Sequence, residues 1–243
     1  MKKNGMVLAA MAGAAVLLTG CATTKAAFNP AAVSPAAVMS VKANYEINWY
    51  GEDPETKGAA AGLLNKLIKD KTDEKTQNLL ARTAPLMNDA AAAVYEVLPA
   101  AGIQLADRNA VLNSAAYKAA GDNRLYAAAA YEKADGYKLL GAKDTAAAAG
   151  VKEATGAASF IYVTYEINKV IGSGVGKNGS MTACATAMIV VADAEGKEIA
   201  SSHAYAEGKE KIAVVAGIYD TEKLVPMYPA VIREALKKAV EKL

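Results

Sequence analysis

The chain has 243 residues, 53% of them hydrophobic and 21% charged, with a formal net charge of +2. That length and apolar content suffice for one sizeable core, and near-neutrality excludes the electrostatic footprint of a nucleic-acid binder. Two cysteines and a single histidine exclude a disulfide framework and a histidine-rich metal centre.

The chain opens with Lys2 and Lys3, then "MVLAAMAGAAVLLTGC" from Met6 to Cys21. A charged head before a short apolar run is the pattern of a secretory signal. The run falls short of the roughly 20 apolar residues a bilayer-spanning helix needs. Its end, Leu18-Thr19-Gly20-Cys21, resembles the lipobox of bacterial lipoprotein signal peptides. That resemblance implies cleavage before Cys21, a diacylglycerol thioether on its sulfur and an acyl chain such as palmitate on its new amino group. Loss of residues 1–20 leaves 223 residues and, without Lys2 and Lys3, a formal charge of zero. Two or more acyl chains hold firmly where one holds reversibly, so a membrane anchor is expected. Ala22 rather than aspartate follows the cysteine, which by the same resemblance implies the outer membrane, facing the periplasm.

Residues 21–40 continue as "CATTKAAFNPAAVSPAAVMS", rich in alanine with Pro30 and Pro35, and read as a lipidated tether. The 19 residues after the cysteine reach at most about 65 Å when extended. The remaining residues, 41–243, are expected to form a single domain.

"VKANYEINWY" follows, with Val41, Ala43, Tyr45, Ile47 and Trp49 alternating with polar neighbours. Period two predicts a half-buried strand. "GEDPE" breaks it, and a long helical insertion is expected next. Within "GAAAGLLNKLIKDK", Leu64, Leu67 and Ile68 share one helical face and Lys66, Lys69 and Asp70 the other. From Leu79, apolar or small residues recur at Thr83, Leu86, Ala90, Val94 and Leu98, with Pro85 marking a kink or a fresh start. "AAGIQLADRNAVLNSAAYKAA" reads as a glycine turn, a short strand over 103–106 and a helix capped near Asp107. Alanine-rich stretches around 126–133 and 143–154 have strong helix propensity.

The strand pattern resumes in "FIYVTYEINKVI", where Ile161, Val163, Tyr165 and Ile167 face one way. "GSGVGKNGS" leads into "MTACATAMIVVA", and "DAEGK" turns into "EIASSHAYAE". Asn178-Gly179 and Glu195-Gly196 supply the positive-φ residues hairpins need. The end, "PMYPAVIREALKKAVEKL", places Tyr228, Val231, Ile232, Ala235, Leu236, Ala239 and Leu243 on one helical stripe. Strand, helices, short strand, helices, three strands and helix make an α+β pattern. An antiparallel or mixed sheet of about four to five strands is expected, with helices mainly on one face and water or a partner on the other.

The glycine-rich "IGSGVGKNGS" fails as a phosphate loop, because a Walker spacing needs glycine at Ile171 and Ser or Thr at Asn178. A dinucleotide spacing from Gly172 needs glycine at Lys177, and a strand rather than a helix follows. Cys184 and His203 are expected on one face of neighbouring strands, but two ligands make no zinc site. No nucleophile elbow is present. The pairs Glu52/Asp53 and Asp73/Glu74 read as solvated rather than as acid/base machinery. Neither catalytic residues, metal nor cofactor is expected, and the chain does not read as an enzyme.

The opening strand followed by a helix running into "GIQLADRNAVLNSAAYKAA", and "GVKEATGAASFIYVTYEI" before a long hairpin, resemble periplasmic α/β lipoproteins. That group includes the curli-secretion (CsgG-like) lipoprotein, the penicillin-binding-protein activator LpoB and the TolB amino-terminal domain. Asp107-Arg108 carries the resemblance most sharply, whereas Ala158 stands where the group usually has an acidic residue. The helical insertion and "VVAGIYDTEKLVP" are similar to spirochaete outer-membrane lipoproteins. The resemblance implies a non-catalytic binding, assembly or scaffold component of the cell envelope. Its partners would be envelope proteins, a second copy of the chain among them, and the membrane through the anchor. The alternative expectation is a lipid-binding or membrane-active lipoprotein whose helix over 58–71 meets the bilayer through Leu64, Leu67 and Ile68.

Overall fold

The computed structural model describes residues 28–51, 82–175, 177–215 and 217–243. Asn29 caps a single 3-10 turn, Pro30–Val33, by accepting the Ala31 N–H. Strand β1 (Ala36–Ala43) follows at once, and all eight of its residues are buried. The expected tether is therefore too long and the expected first strand starts too late. Alanine-rich sequence hid the strand because small side chains carry little periodic signal, yet they fit between two layers. The stretch from Cys21 to Pro30 reaches at most about 30 Å, half the length expected.

The alternation after Val41 does not continue as one strand. The chain leaves the ladder at Asn44, whose side chain stands in for backbone. It donates to the Ile167 carbonyl at 2.9 Å and accepts from the Ile167 N–H at 2.7 Å. Strand β2 (Asn48–Trp49) then rejoins the same edge. Pro85 proves to be a fresh start, lying in the 3-10 turn Ala84–Leu86 that opens helix α1 (Met87–Ala100). Leu86, Ala90, Val94 and Leu98 are buried along it, as the spacing predicts.

The glycine turn falls at Gly102, and Leu105 makes a parallel bridge to Ala36. Asp107 caps helix α2 (Arg108–Asn113) by accepting the Ala110 N–H at 2.7 Å. Ser114 interrupts the helix and caps helix α3 (Ala115–Ala119). Of the alanine-rich 126–133, only helix α4 (Arg124–Ala128) is helical, and β3 (Glu132–Lys133) pairs antiparallel with β1. Helix α5 (Thr145–Thr155) ends at Gly156, left-handed at φ 70°, a conformation open to glycine without a Cβ clash.

Strands β4 (Ser159–Val175) and β5 (Asn178–Ala192) form the long hairpin that is the spine of the sheet. β6 (Glu198–Glu207) returns antiparallel along β5. β7 (Ile212–Val215) pairs with the start of β5, and β8 (Ile218–Tyr219) with β7. Short helix α6 (Thr221–Leu224) leads into α7 (Tyr228–Val240). Tyr228, Val231, Ile232, Ala235, Leu236 and Ala239 are buried on α7 as predicted, while Val240 joins them and Leu243 is half-buried.

Among the described residues the strands make one eight-stranded mixed sheet, more than the four to five expected. β1 and β2 run parallel to β4, and the other pairings are antiparallel. Helices occupy both faces. Ile161, Val163, Tyr165 and Ile167 join α1 and α7 in the larger core, whereas Phe160 and Tyr162 join Val111, Tyr117 and Val151 in a second. This corrects the expectation of helices mainly on one face. A strand buried on both sides, as β1 is, requires two covering layers.

Candidate functional site

The second face is covered over only part of its length. Phe160 and Tyr162 lie buried beneath α2, α3 and α5, but farther along β4 Thr164 and Asn168 are half-buried and Glu166 is exposed. The bare part continues across β5 and β6. Met188 is 37% exposed and Ile199 49%, and His203 and Glu207 are also exposed. Cross-strand register aligns Thr164 with Met188 and His203, and Glu166 with Thr186 and Tyr205.

Aromatic residues bound this surface. On the covered side, Tyr126 and Tyr131 meet edge to face at 5.5 Å. Burial, and then the Glu166 carboxylate, raise the Tyr131 phenol above its ordinary range. On the far side, Tyr50 stacks against Tyr205 with ring centroids 4.7 Å apart. Tyr50 is 47% exposed and adds aromatic area at the Tyr205 end of the face. The result is a shallow apolar and aromatic floor edged by the carboxylates of Glu166 and Glu207.

Cys184 and His203 share this face as expected, opposite Glu207 and Met188 respectively. They differ in environment. Cys184 is fully buried, and burial pushes its thiol up to about 12. A protonated, buried thiol is a poor nucleophile and a poor metal ligand. Among the described residues no three His, Cys, Asp or Glu side chains are grouped to hold a metal.

Where the covered part ends lies a buried charge that the sequence pattern placed toward solvent. Lys42 is 1% exposed. Its ammonium donates to the Leu140 carbonyl at 2.8 Å and sits 4.2 Å from the centroid of the Tyr126 ring. Burial lowers its pKa to about 8, opposed by the nearby Asp144 carboxylate. Only its alternation with Val41 and Ala43 bore on its orientation, and alternation cannot distinguish a solvated lysine from one facing a second core.

Of the other predicted site residues, Cys21, Leu64, Leu67 and Ile68 lie outside the described residues, as do Glu52, Asp53, Asp73 and Glu74. Among the described residues no helix is long and apolar enough to cross a membrane. The predicted hairpin replaces the phosphate-loop reading of residues 171–180, with Gly174 and Gly179 opposed across its end. A Cβ on Gly174 would stand 1.9 Å from the Asn178 carbonyl oxygen, so the glycines close a turn. No family model matches the chain, and neither a curated protein nor a solved structure matches it.

Proposed function

We propose that this chain is a membrane-anchored envelope lipoprotein, held through acylated Cys21, that acts by binding rather than by catalysis. In this reading it serves as an assembly or scaffold component on the periplasmic side of the outer membrane. The observation that carries the binding half is the uncovered part of the sheet, where Tyr50, Met188, Ile199 and Tyr205 expose apolar and aromatic area between carboxylates. Aromatic and methionine side chains are the types enriched at protein interfaces. The anchoring half rests on the charged head, short apolar run and Leu18-Thr19-Gly20-Cys21. The short link between Cys21 and Pro30 would keep this face within reach of other proteins at the membrane surface.

A photoreactive amino acid placed at Met188 of the full chain, irradiated in intact cells, tests the reading. Adducts with one or a few envelope proteins, lost when the probe is moved to exposed Lys152 on α5, are expected. Adducts with lipid alone would replace this reading with a membrane-active one built on Leu64, Leu67 and Ile68. The absence of any adduct at Met188 would refute binding through this face.

A further inference from the structure

A cavity lies in the angle between α1, the start of α2 and the turn after β3. Its volume is about 350 Å³ and its walls are Asn88, Ala91, Ala92, Tyr95, Arg108 and Asp135. Such a volume is at the small end of ligand sites. Arg108 is fixed from two sides. Its Nη2 donates to the Asp135 carbonyl at 3.0 Å, and its guanidinium lies 5.3 Å from the centroid of the Tyr137 ring. Among the described residues no carboxylate pairs with it. A planar guanidinium with unused N–H donors is shaped for a carboxylate.

Asp135 is held as firmly. Its backbone N–H donates to Asn88 Oδ1 at 3.1 Å, and its Oδ2 accepts from Asn88 Nδ2 at 2.8 Å. No hydrogen bond or ion pair occupies its Oδ1 within the described part of the chain. A cation holder and an anion holder thus stand side by side, each oriented by a neighbour before any ligand arrives. Ala91 and Ala92 leave room beside them, and Tyr95, whose hydroxyl lies 3.0 Å from that of Tyr137, forms part of the wall.

We propose that this cavity binds a zwitterionic α-amino acid with a small aliphatic side chain. Its carboxylate lies on Arg108, its ammonium on Asp135 Oδ1, and its side chain against Ala91 and Ala92. A doubly charged phosphate fits less well, because Asp135 repels it. The proposal is independent of anchoring and of the sheet face.

Nuclear magnetic resonance titration of the folded chain with L-alanine, propionate and alaninamide tests it, read at the Ala91 and Ala92 methyls and the Asn88 side-chain amide. Saturable shifts with L-alanine are expected. Each half-ligand should bind about tenfold more weakly, the loss of one charge-assisted contact. Arg108→Gln should abolish the response, Arg108→Lys should restore part of it, and Asp135→Asn should remove the preference for alanine over propionate. Shifts that stay linear in concentration, an equal response to all three probes, or an unchanged response in Arg108→Gln would each overturn the proposal. If Arg108→Gln unfolds, the Asp135→Asn preference alone decides.

Discussion

Lys42→Met probes the buried ammonium beneath Tyr126. In the folded chain Lys42 titrates near 8, against 10.5 for an unburied lysine, chiefly because burial penalises its charge. The sign follows from linkage. Between these two values the unfolded chain binds more protons than the folded one, so stability rises with pH. At neutral pH the charged lysine costs about 3 kcal/mol relative to an unburied one, at about 1.4 kcal/mol per pH unit. Integrating the two titrations, the wild type should gain about 1.3 kcal/mol from this residue between pH 7 and pH 9. Buried tyrosines such as Tyr117 and Tyr162, whose pKa values burial raises, act the other way. They favour the folded state below pH 10 and lose that contribution as the unfolded phenols ionise above it. Taking the difference between wild type and variant cancels them. Methionine keeps the unbranched stem but lacks the terminal nitrogen, leaving the Leu140 carbonyl without its donor, a loss of about 1–3 kcal/mol that does not vary with pH. Urea unfolding at pH 7, 8 and 9 should therefore show the wild type gaining about 1.3 kcal/mol relative to the variant across the series. Parallel curves would mean that Lys42 is not a buried, penalised charge.

Three further outcomes are expected. Gly150→Ala should lower the melting temperature despite better helix propensity, since the new Cβ would stand 2.2 Å from that of Ala116. Overpacking of this kind costs about 1–3 kcal/mol. Asp107→Ala removes the acceptor for the Ala110 N–H and should cost about 1 kcal/mol in denaturant unfolding. Leu67→Asp should destabilise the fold by several kcal/mol if the stripe of Leu64, Leu67 and Ile68 is a core cover. An unchanged melting temperature together with lost liposome flotation of the non-lipidated chain would assign that stripe to the membrane instead.

Locally encoded features were legible in the sequence. The Asp107 cap, the α7 stripe and the β4–β5 hairpin each follow from a side chain or spacing that acts within a few residues. Features decided by distant packing were not. The first five residues of β1 read as tether because "AAVMS" has no clear period, and their burial depends on helices on both sides. Lys42 reads as solvent-facing because it alternates with Val41 and Ala43, and alternation does not report a second covering layer. The uncovered face was expected in outline, from alternation in β4, but its boundaries were not. Tyr50 and Tyr205, far apart in the chain, meet across the sheet, and only the register of the strands brings them together. The polar cavity joins Asn88, Arg108 and Asp135 from three separated segments, and of these only Arg108 stood out in the sequence.

The central claim is attachment to the envelope membrane through Cys21, since every proposed partner depends on where the chain is held. Growth with a radiolabelled or alkyne-tagged palmitate tests it directly, comparing the wild type with Cys21→Ala expressed at equal levels. The account predicts label on the wild type, recovered with the outer membrane, and none on the variant. Label on both proteins, or on neither, would contradict it.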